Sequence, residues 1–252
     1  MTPLFMIMAG FVIGLLFGSF ANVLIHRIPR DENVAWPASH CPHCQHPLAW
    51  YHNIPLLSYL FLKGECHFCH HGISLRYPIV EFLSGLIGAL IFALGLPMIT
   101  ATLYTLAFIT LLALSFIDWE TKMIPDSLNL LALTLAIFAS LDLSAIVAHA
   151  RDALLFAGGF SLLRFYLSYA LKKEAMGEGD IMIAATIGAV LGPLMGGIAI
   201  FLSAFLALPF SLYFQRRDDV ALPFVPFLAA ALFLVFVNAS WLYPFLKDFY
   251  HL

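Results

Sequence analysis

Long apolar runs fill most of this chain, broken by short polar interruptions and by one longer polar segment near the N-terminus. A membrane-spanning helix needs roughly 20 apolar residues. Eight stretches meet that expectation, at about 4–25, 77–95, 98–117, 127–147, 152–171, 181–196, 198–214 and 221–243. The sixth and seventh share a blurred boundary, where Gly192-Pro193 and Gly196-Gly197 interrupt the run. Pro223 and Pro226 fall near the start of the eighth, where a helix tolerates proline. The pattern predicts an all-α polytopic membrane protein of about eight transmembrane helices. A first helix occupies 1–25, a small extramembrane domain 26–76, and a helical membrane core 77–252.

Composition agrees: 62% of the 252 residues are hydrophobic and 11% are charged, against about a quarter charged in a soluble domain. The first apolar run lacks a basic segment before it and a small-residue cleavage site after it, so it reads as a retained span rather than a secretory signal. No basic stripe with interleaved aromatics is present, and nucleic acid is not an expected partner; membrane lipid is.

The net charge of −3 says little, but the position of the 12 Lys and Arg residues orients the chain. With the N-terminus outside, Arg27, Arg30, Lys63, Arg76, Lys122, Lys172, Lys173, Arg216 and Arg217 lie inside. Arg151 and Lys247 lie outside, and Arg164 lies within the fifth span. Nine against two places segment 26–76 in the cytoplasm and both termini on the opposite side.

All four cysteines lie in that segment, as Cys41-Pro42-His43-Cys44 and Cys66-His67-Phe68-Cys69. Two C-x-x-C pairs 21 residues apart fit a four-thiolate zinc site, and a domain this small needs such a staple. A reducing compartment argues against disulfides, and a redox C-x-x-C would stand alone in a βαβ unit. Reduced thiols without metal are the remaining alternative. Eight of the ten histidines crowd in or beside the loop and read mostly as solvated polar groups, although His70 or His71 offers an alternative ligand.

Carboxylates at the ends of apolar runs are costly unless they have a task. Asp118 closes the third run, and Asp180, in Gly177-Glu178-Gly179-Asp180, opens the sixth. The charge count puts both at the cytoplasmic face. There they are placed to share a proton and activate a water, the chemistry of an aspartyl hydrolase. The glycines at 177 and 179 allow a tight bend and close approach of a substrate. The competing roles are ordinary: an Asp118–Lys122 pair at i,i+4, and first-turn acids favoured by the helix dipole at Asp126 and Asp180.

With these residues in view, the chain closely resembles the type IV prepilin peptidases over nearly its whole length. Gly18-Ser19-Phe20-Ala21-Asn22-Val23 with Arg27 and Pro29, both cysteine pairs, Trp50-Tyr51-His52-Asn53-Ile54-Pro55 between them, and Arg76-Tyr77-Pro78-Ile79-Val80-Glu81 after them carry the resemblance. So do Asp118 with Ile124-Pro125-Asp126, and Met176-Gly177-Glu178-Gly179-Asp180. The resemblance implies that Asp118 and Asp180 are the catalytic pair; Asp126 belongs to the first motif without an implied catalytic role. It implies zinc in the cysteine loop and a bacterial inner-membrane location. Its substrates are type IV prepilins or pseudopilins, cleaved after a glycine and then N-methylated from S-adenosyl-L-methionine. One position departs from the family pattern: Met182 stands where a lysine is often found two residues after the second aspartate. Arg164, near the inner end of the fifth span, offers a substitute charge, against the simpler reading that it snorkels to the interface.

No G-x-G-x-x-G after a strand marks a methyl-donor site. Asn22, Arg27 and Glu81 are candidates for methyl transfer, and helix packing, a charge anchor and an interfacial carboxylate are their respective alternatives. A protease without methyl transfer, a proton-coupled transporter and a pilin-binding assembly component are the competing functions. Against a transporter, no pair of broken-helix repeats is evident.

Overall fold

The computed structural model describes residues 2–173, 176–214 and 222–250. Arg216 and Arg217, counted above as inner cations, and the first residue of the eighth expected span lie outside the described residues. The described elements are α1 (Pro3–Arg27), the short α2 (Leu57–Phe61), α3 (Arg76–Ala93), α4 (Met98–Thr121), α5 (Asp126–Ile137), α6 (Leu143–Leu171), α7 (Glu178–Phe214), α8 (Val225–Val237) and α9 (Ala239–Tyr250). Contacts divide the chain into two compact units, Met1–Ala113 and Leu114–Leu252, the division falling within α4.

Five described helices are long and apolar enough to cross a membrane, or six if the bent pair α8–α9 counts as one span. The molecule is an all-α, multi-pass membrane protein, and among the described residues fewer than the eight expected spans are found. Two causes account for the difference. The expected span 127–147 stops at Ile137. Asp142 then caps a new helix, its Oδ2 accepting from the Ala145 N–H at 3.1 Å and from the Ser144 hydroxyl. A hydropathy average reads across such a cap because leucines flank it, and α6 absorbs what remained of that run together with the fifth expected span.

The second cause lies at Gly192. The sixth and seventh expected spans lie in α7, two helical segments that meet at a kink at Gly192 (φ 69°, ψ −177°) rather than at the 196–198 boundary expected. Only glycine adopts that conformation readily. A straight helix of this length would extend roughly 55 Å, well beyond a bilayer core of about 30 Å. The Phe156 ring of α6 lies against both sides of the break: a Cβ at Gly188 would sit 2.7 Å from its Cδ2, and one at Gly196 2.6 Å from its Cζ. The eighth expected span is likewise divided, α8 and α9 meeting at 74°. There the Asn238 amide turns back onto the Leu234 carbonyl at 2.8 Å, and the Asn238 carbonyl accepts from the N–H groups of Trp241 and Leu242.

In the first unit, α1 lies along α3. Gly10, Gly14 and Gly18 form a smooth seam facing Ser84, Gly85 and Gly88, and a Cβ on Gly14 would stand 2.1 Å from the Ser84 carbonyl oxygen. Small residues let transmembrane backbones approach this closely. Gly14→Leu must therefore separate the two helices, at a cost of about 1–3 kcal/mol or more. A lowered unfolding temperature in detergent checks this. Leu16→Ala, on the exposed face, should change stability by no more than about 0.5 kcal/mol.

Candidate active site

The site in the second unit is assembled from helix ends. Asp118, in the last turn of α4, is 5% exposed. Its Oδ2 accepts from the backbone N–H of Val225 at 3.1 Å. Val225 opens α8, whose first N–H groups have no partner within their own helix, so the positive end of that helix faces the carboxylate. Lys122, four residues on, adopts a left-handed conformation (φ 59°) and holds its Nζ 5.8 Å from the centre of the Trp119 ring. Its charge still acts on Asp118.

Asp180 lies in the first turn of α7 and is half-buried. The Gly177 N–H donates to its carboxylate, and a Cβ at Gly177 would sit 3.3 Å from Oδ2. Gly179 is pressed onto Ile124, three of whose side-chain carbons would stand 2.8 Å from an added Cβ. The fully buried Asn129 of α5 donates to the Gly179 carbonyl at 2.9 Å. The segment after Asp118 thus clasps the loop before Asp180. This brings the two carboxylates within electrostatic reach, where their charges repel one another. Asp126, in the first turn of α5, is exposed. Asn129 and Val225 were missed from sequence. The first carried a signal, an amide in an apolar run; the second acts through its backbone and carried none.

Arg164 is accounted for by Glu178, which it meets at 3.0 Å in the first turn of α7. The contact ties α6 to the Gly177–Asp180 turn. Met182 is half-buried, and its carbonyl accepts from the Thr186 hydroxyl.

In the first unit the four cysteines converge. Their sulfurs lie within 4.8 Å of one another, with Cys41 Sγ and Cys69 Sγ 3.9 Å apart. Four thiolates at about 2.3 Å from a tetrahedral zinc are about 3.8 Å apart, so the arrangement fits a metal ion. It is built as the same turn twice. Cys41 N–H donates to the His46 carbonyl and Cys66 N–H to that of His71. Gln45 (φ 59°) and His70 (φ 55°) take the matching left-handed positions. The thiols titrate against one another: backbone N–H groups of Cys69 and Phe68 hold Cys66 down to about 7, while Cys69, despite the His71 N–H, is pushed up to about 11 by burial and the neighbouring thiols.

The loop histidines are not simply solvated. His43 stacks on His71 at 4.1 Å between ring centres, His46 packs on Phe68 at 3.6 Å, and His52 lies 4.9 Å from His67. His70 instead faces Glu65 at 3.6 Å.

The three methyl-transfer candidates fall into different environments. Asn22 donates to the Tyr77 carbonyl at 3.1 Å, joining α1 to α3. Arg27 clamps the following loop through the carbonyls of Asn33, Val34 and Pro37. Glu81, 8% exposed, accepts from the Leu56 N–H at 2.8 Å and lines a cavity of about 280 Å³ beside the cysteine cluster.

Comparison with known proteins covers both units. Residues 12–94 match the bacterial peptidase A24 N-terminal domain, and residues 105–212 match the type IV leader peptidase family. The chain is 39% identical to the prepilin leader peptidase/N-methyltransferase of Klebsiella pneumoniae, over 72% of this chain and 83% of that one. It is 35% identical to the protein of that name from Aeromonas hydrophila over 88% and 87%, and 34% identical to that from Dichelobacter nodosus over 95% and 93%. No solved structure matches the chain.

Proposed function

The chain belongs to the type IV leader peptidase family, and from that premise we propose that it is a bifunctional prepilin peptidase and N-methyltransferase of a bacterial inner membrane. The observation that carries the reading is the clasp of Ile124 and Asn129, which follow Asp118 at the end of α4, on Gly179, the residue before Asp180 at the start of α7.

One ionised aspartate takes a proton from water, and that water attacks the carbonyl carbon after the leader's glycine. The other aspartate, protonated, donates to the carbonyl oxygen and later to the leaving nitrogen. The two titrate as a pair, so the roles belong to the dyad rather than to one residue. The Val225 and Gly177 N–H groups aim the carboxylates, and Gly177 leaves room for an extended substrate backbone. The prepilin's apolar segment lies among the spans, with its leader at the cytoplasmic face; with the short apolar helix α5 counted as a crossing, the positive-inside bias assigns both aspartates to that face. N- and C-termini lie on the periplasmic side.

Cys41, Cys44, Cys66 and Cys69 hold zinc as a structural ion: four thiolates leave no open position for catalysis. S-adenosylmethionine supplies the methyl group for the new N-terminus. Asn22 and Arg27 act as positioning residues for the loop that receives it.

The test is incubation of the purified protein in detergent with a prepilin and S-adenosylmethionine, followed by mass spectrometry. The expected product lacks its leader and is heavier than the bare cleaved chain by one methylene. A cleaved, unmethylated product removes the second activity, and an intact precursor removes the first.

A further inference from the structure

α3 sets a depth scale for the segment that precedes it. It has 18 residues, roughly 27 Å of helix, no more than the apolar core of a bilayer at about 30 Å. All of α3 from Arg76 onward is therefore needed to cross. Glu81 lies five residues past Arg76, roughly 7 Å inside that boundary. α1 marks the same level. A Cβ on Gly18 would stand 3.1 Å from the Glu81 Cα, and the neighbouring Phe17 and Phe20 are exposed, as are Ile79 and Phe82 of α3. On membrane-spanning helices, exposed apolar side chains at this level face lipid.

The Leu56 N–H donates to Glu81 Oε2 at 2.8 Å. This bond draws the start of α2 to the depth of Glu81. Leu56 takes the uncommon γ-turn geometry to make it (φ 60°, ψ −47°), with the Leu57 N–H closing onto the Pro55 carbonyl at 2.6 Å. The surrounding backbone is sealed. The Ser58 and Leu60 N–H groups return to the Ile54 and Leu56 carbonyls, and the Ile54 N–H donates to Ser58 Oγ. Backbone at the edge of lipid has to be satisfied within the protein in this way.

α2 has two unlike sides. Ser58, Tyr59 and Leu62 turn to the cavity beside the cysteine cluster. Leu57, Leu60 and Phe61, at i, i+3 and i+4, share the other side. Leu60 is 70% exposed and Phe61 83%. The exposed Lys63 follows directly, in a left-handed conformation (φ 54°), and the Arg76 guanidinium lies 5.2 Å from the centre of the Tyr77 ring. Basic and tyrosine side chains beside an apolar face mark the headgroup level of a bilayer.

We propose that the face of α2 formed by Leu57, Leu60 and Phe61 is seated in phospholipid, in the leaflet that Arg76 faces. The occupant is the membrane the chain already spans, because the depth of Leu56 sets this face against acyl chains rather than water. The cysteine-bearing segment is then held to the bilayer by α1, α2 and α3, not by the two spans alone. The seat is independent of both proposed activities.

The experiment uses the zinc-loaded full chain carrying p-benzoylphenylalanine in place of Phe61, reconstituted in vesicles of phosphatidylethanolamine and phosphatidylglycerol. After irradiation, mass spectrometry should show the chain joined to phospholipid, with or without added prepilin. An adduct with prepilin instead of lipid, an adduct with a second copy of the chain, or an unmodified chain overturns the proposal. Trypsin gives a second readout. Cleavage after Lys63 in the same vesicles should be about tenfold faster in the double variant Leu60→Glu/Phe61→Glu, whose face no longer favours lipid. Phe61→Trp keeps an interfacial ring and should be cut at the wild-type rate. A double variant cut no faster than the wild type, or Phe61→Trp cut as fast as the double variant, also overturns the seat. Zinc content reports that each variant is folded.

Discussion

Asp118→Asn and Asp180→Asn should each abolish leader cleavage, by at least about a thousandfold in rate. Asparagine keeps an acceptor for Val225 N–H or Gly177 N–H, so helix ends and loop stay in place and only the proton chemistry is lost. The two losses do not add: a double variant is no slower than either single one, because residues acting as a unit fail as a unit. Asp126→Asn provides the contrast. Asp126 is exposed in the first turn of α5, and its replacement costs a few tenths of a kcal/mol of helix-dipole stabilisation and leaves cleavage within about threefold of wild type, roughly 0.6 kcal/mol in barrier. Following a prepilin by gel shift or mass over time checks all four variants. Wild-type turnover by either single variant would remove that aspartate from the dyad.

Removing the metal is the other change of large effect. The purified protein should carry one zinc per chain. Chelation, or Cys66→Ser, should open residues 40–73 to protease while the membrane helices stay protected. The loop contains little besides the two cysteine turns, a short 3-10 helix and the five-residue α2, so few apolar contacts remain once the thiolates lose their common partner. Structural zinc contributes about 10–16 kcal/mol to folding of small zinc-dependent domains, more than such a loop holds by other means. Zinc analysis and limited proteolysis read the two outcomes independently.

What was legible from sequence depended on whether its signal was local. The cysteine turns are short motifs with fixed spacing, and the four sulfurs meet as expected. The aspartates were found as costly charges at the ends of apolar runs, and the loop before Asp180 rests on Ile124 and Asn129, which follow Asp118. The span count that oriented them was higher than the described helices support. The miscount arose because hydropathy averages over a window, whereas Asp142, Gly192 and Asn238 each act at one point: a side-chain cap, a left-handed glycine, an amide turned back on its own helix. Val225 was invisible because it contributes a backbone N–H. Asn129 was visible as an amide among leucines, but its partner, the Gly179 carbonyl, lies 50 residues away. Arg164, considered as a replacement for a lysine at 182, instead meets Glu178.

The repeated cysteine turn bears on how the protein is made. Each turn offers only two thiolates, so neither half-site can close a tetrahedron alone. Cys41 and Cys44 leave the ribosome 22 or more residues before Cys66 and Cys69, a delay of a few seconds at roughly 5–20 residues per second. During that interval the N-terminal half-site waits as open thiols, and all four sulfurs can share an ion only once Cys69 has also emerged. On the proposed zinc reading, closure of this unit would wait on the second cysteine turn, and the supply of the metal would be a condition for completing it.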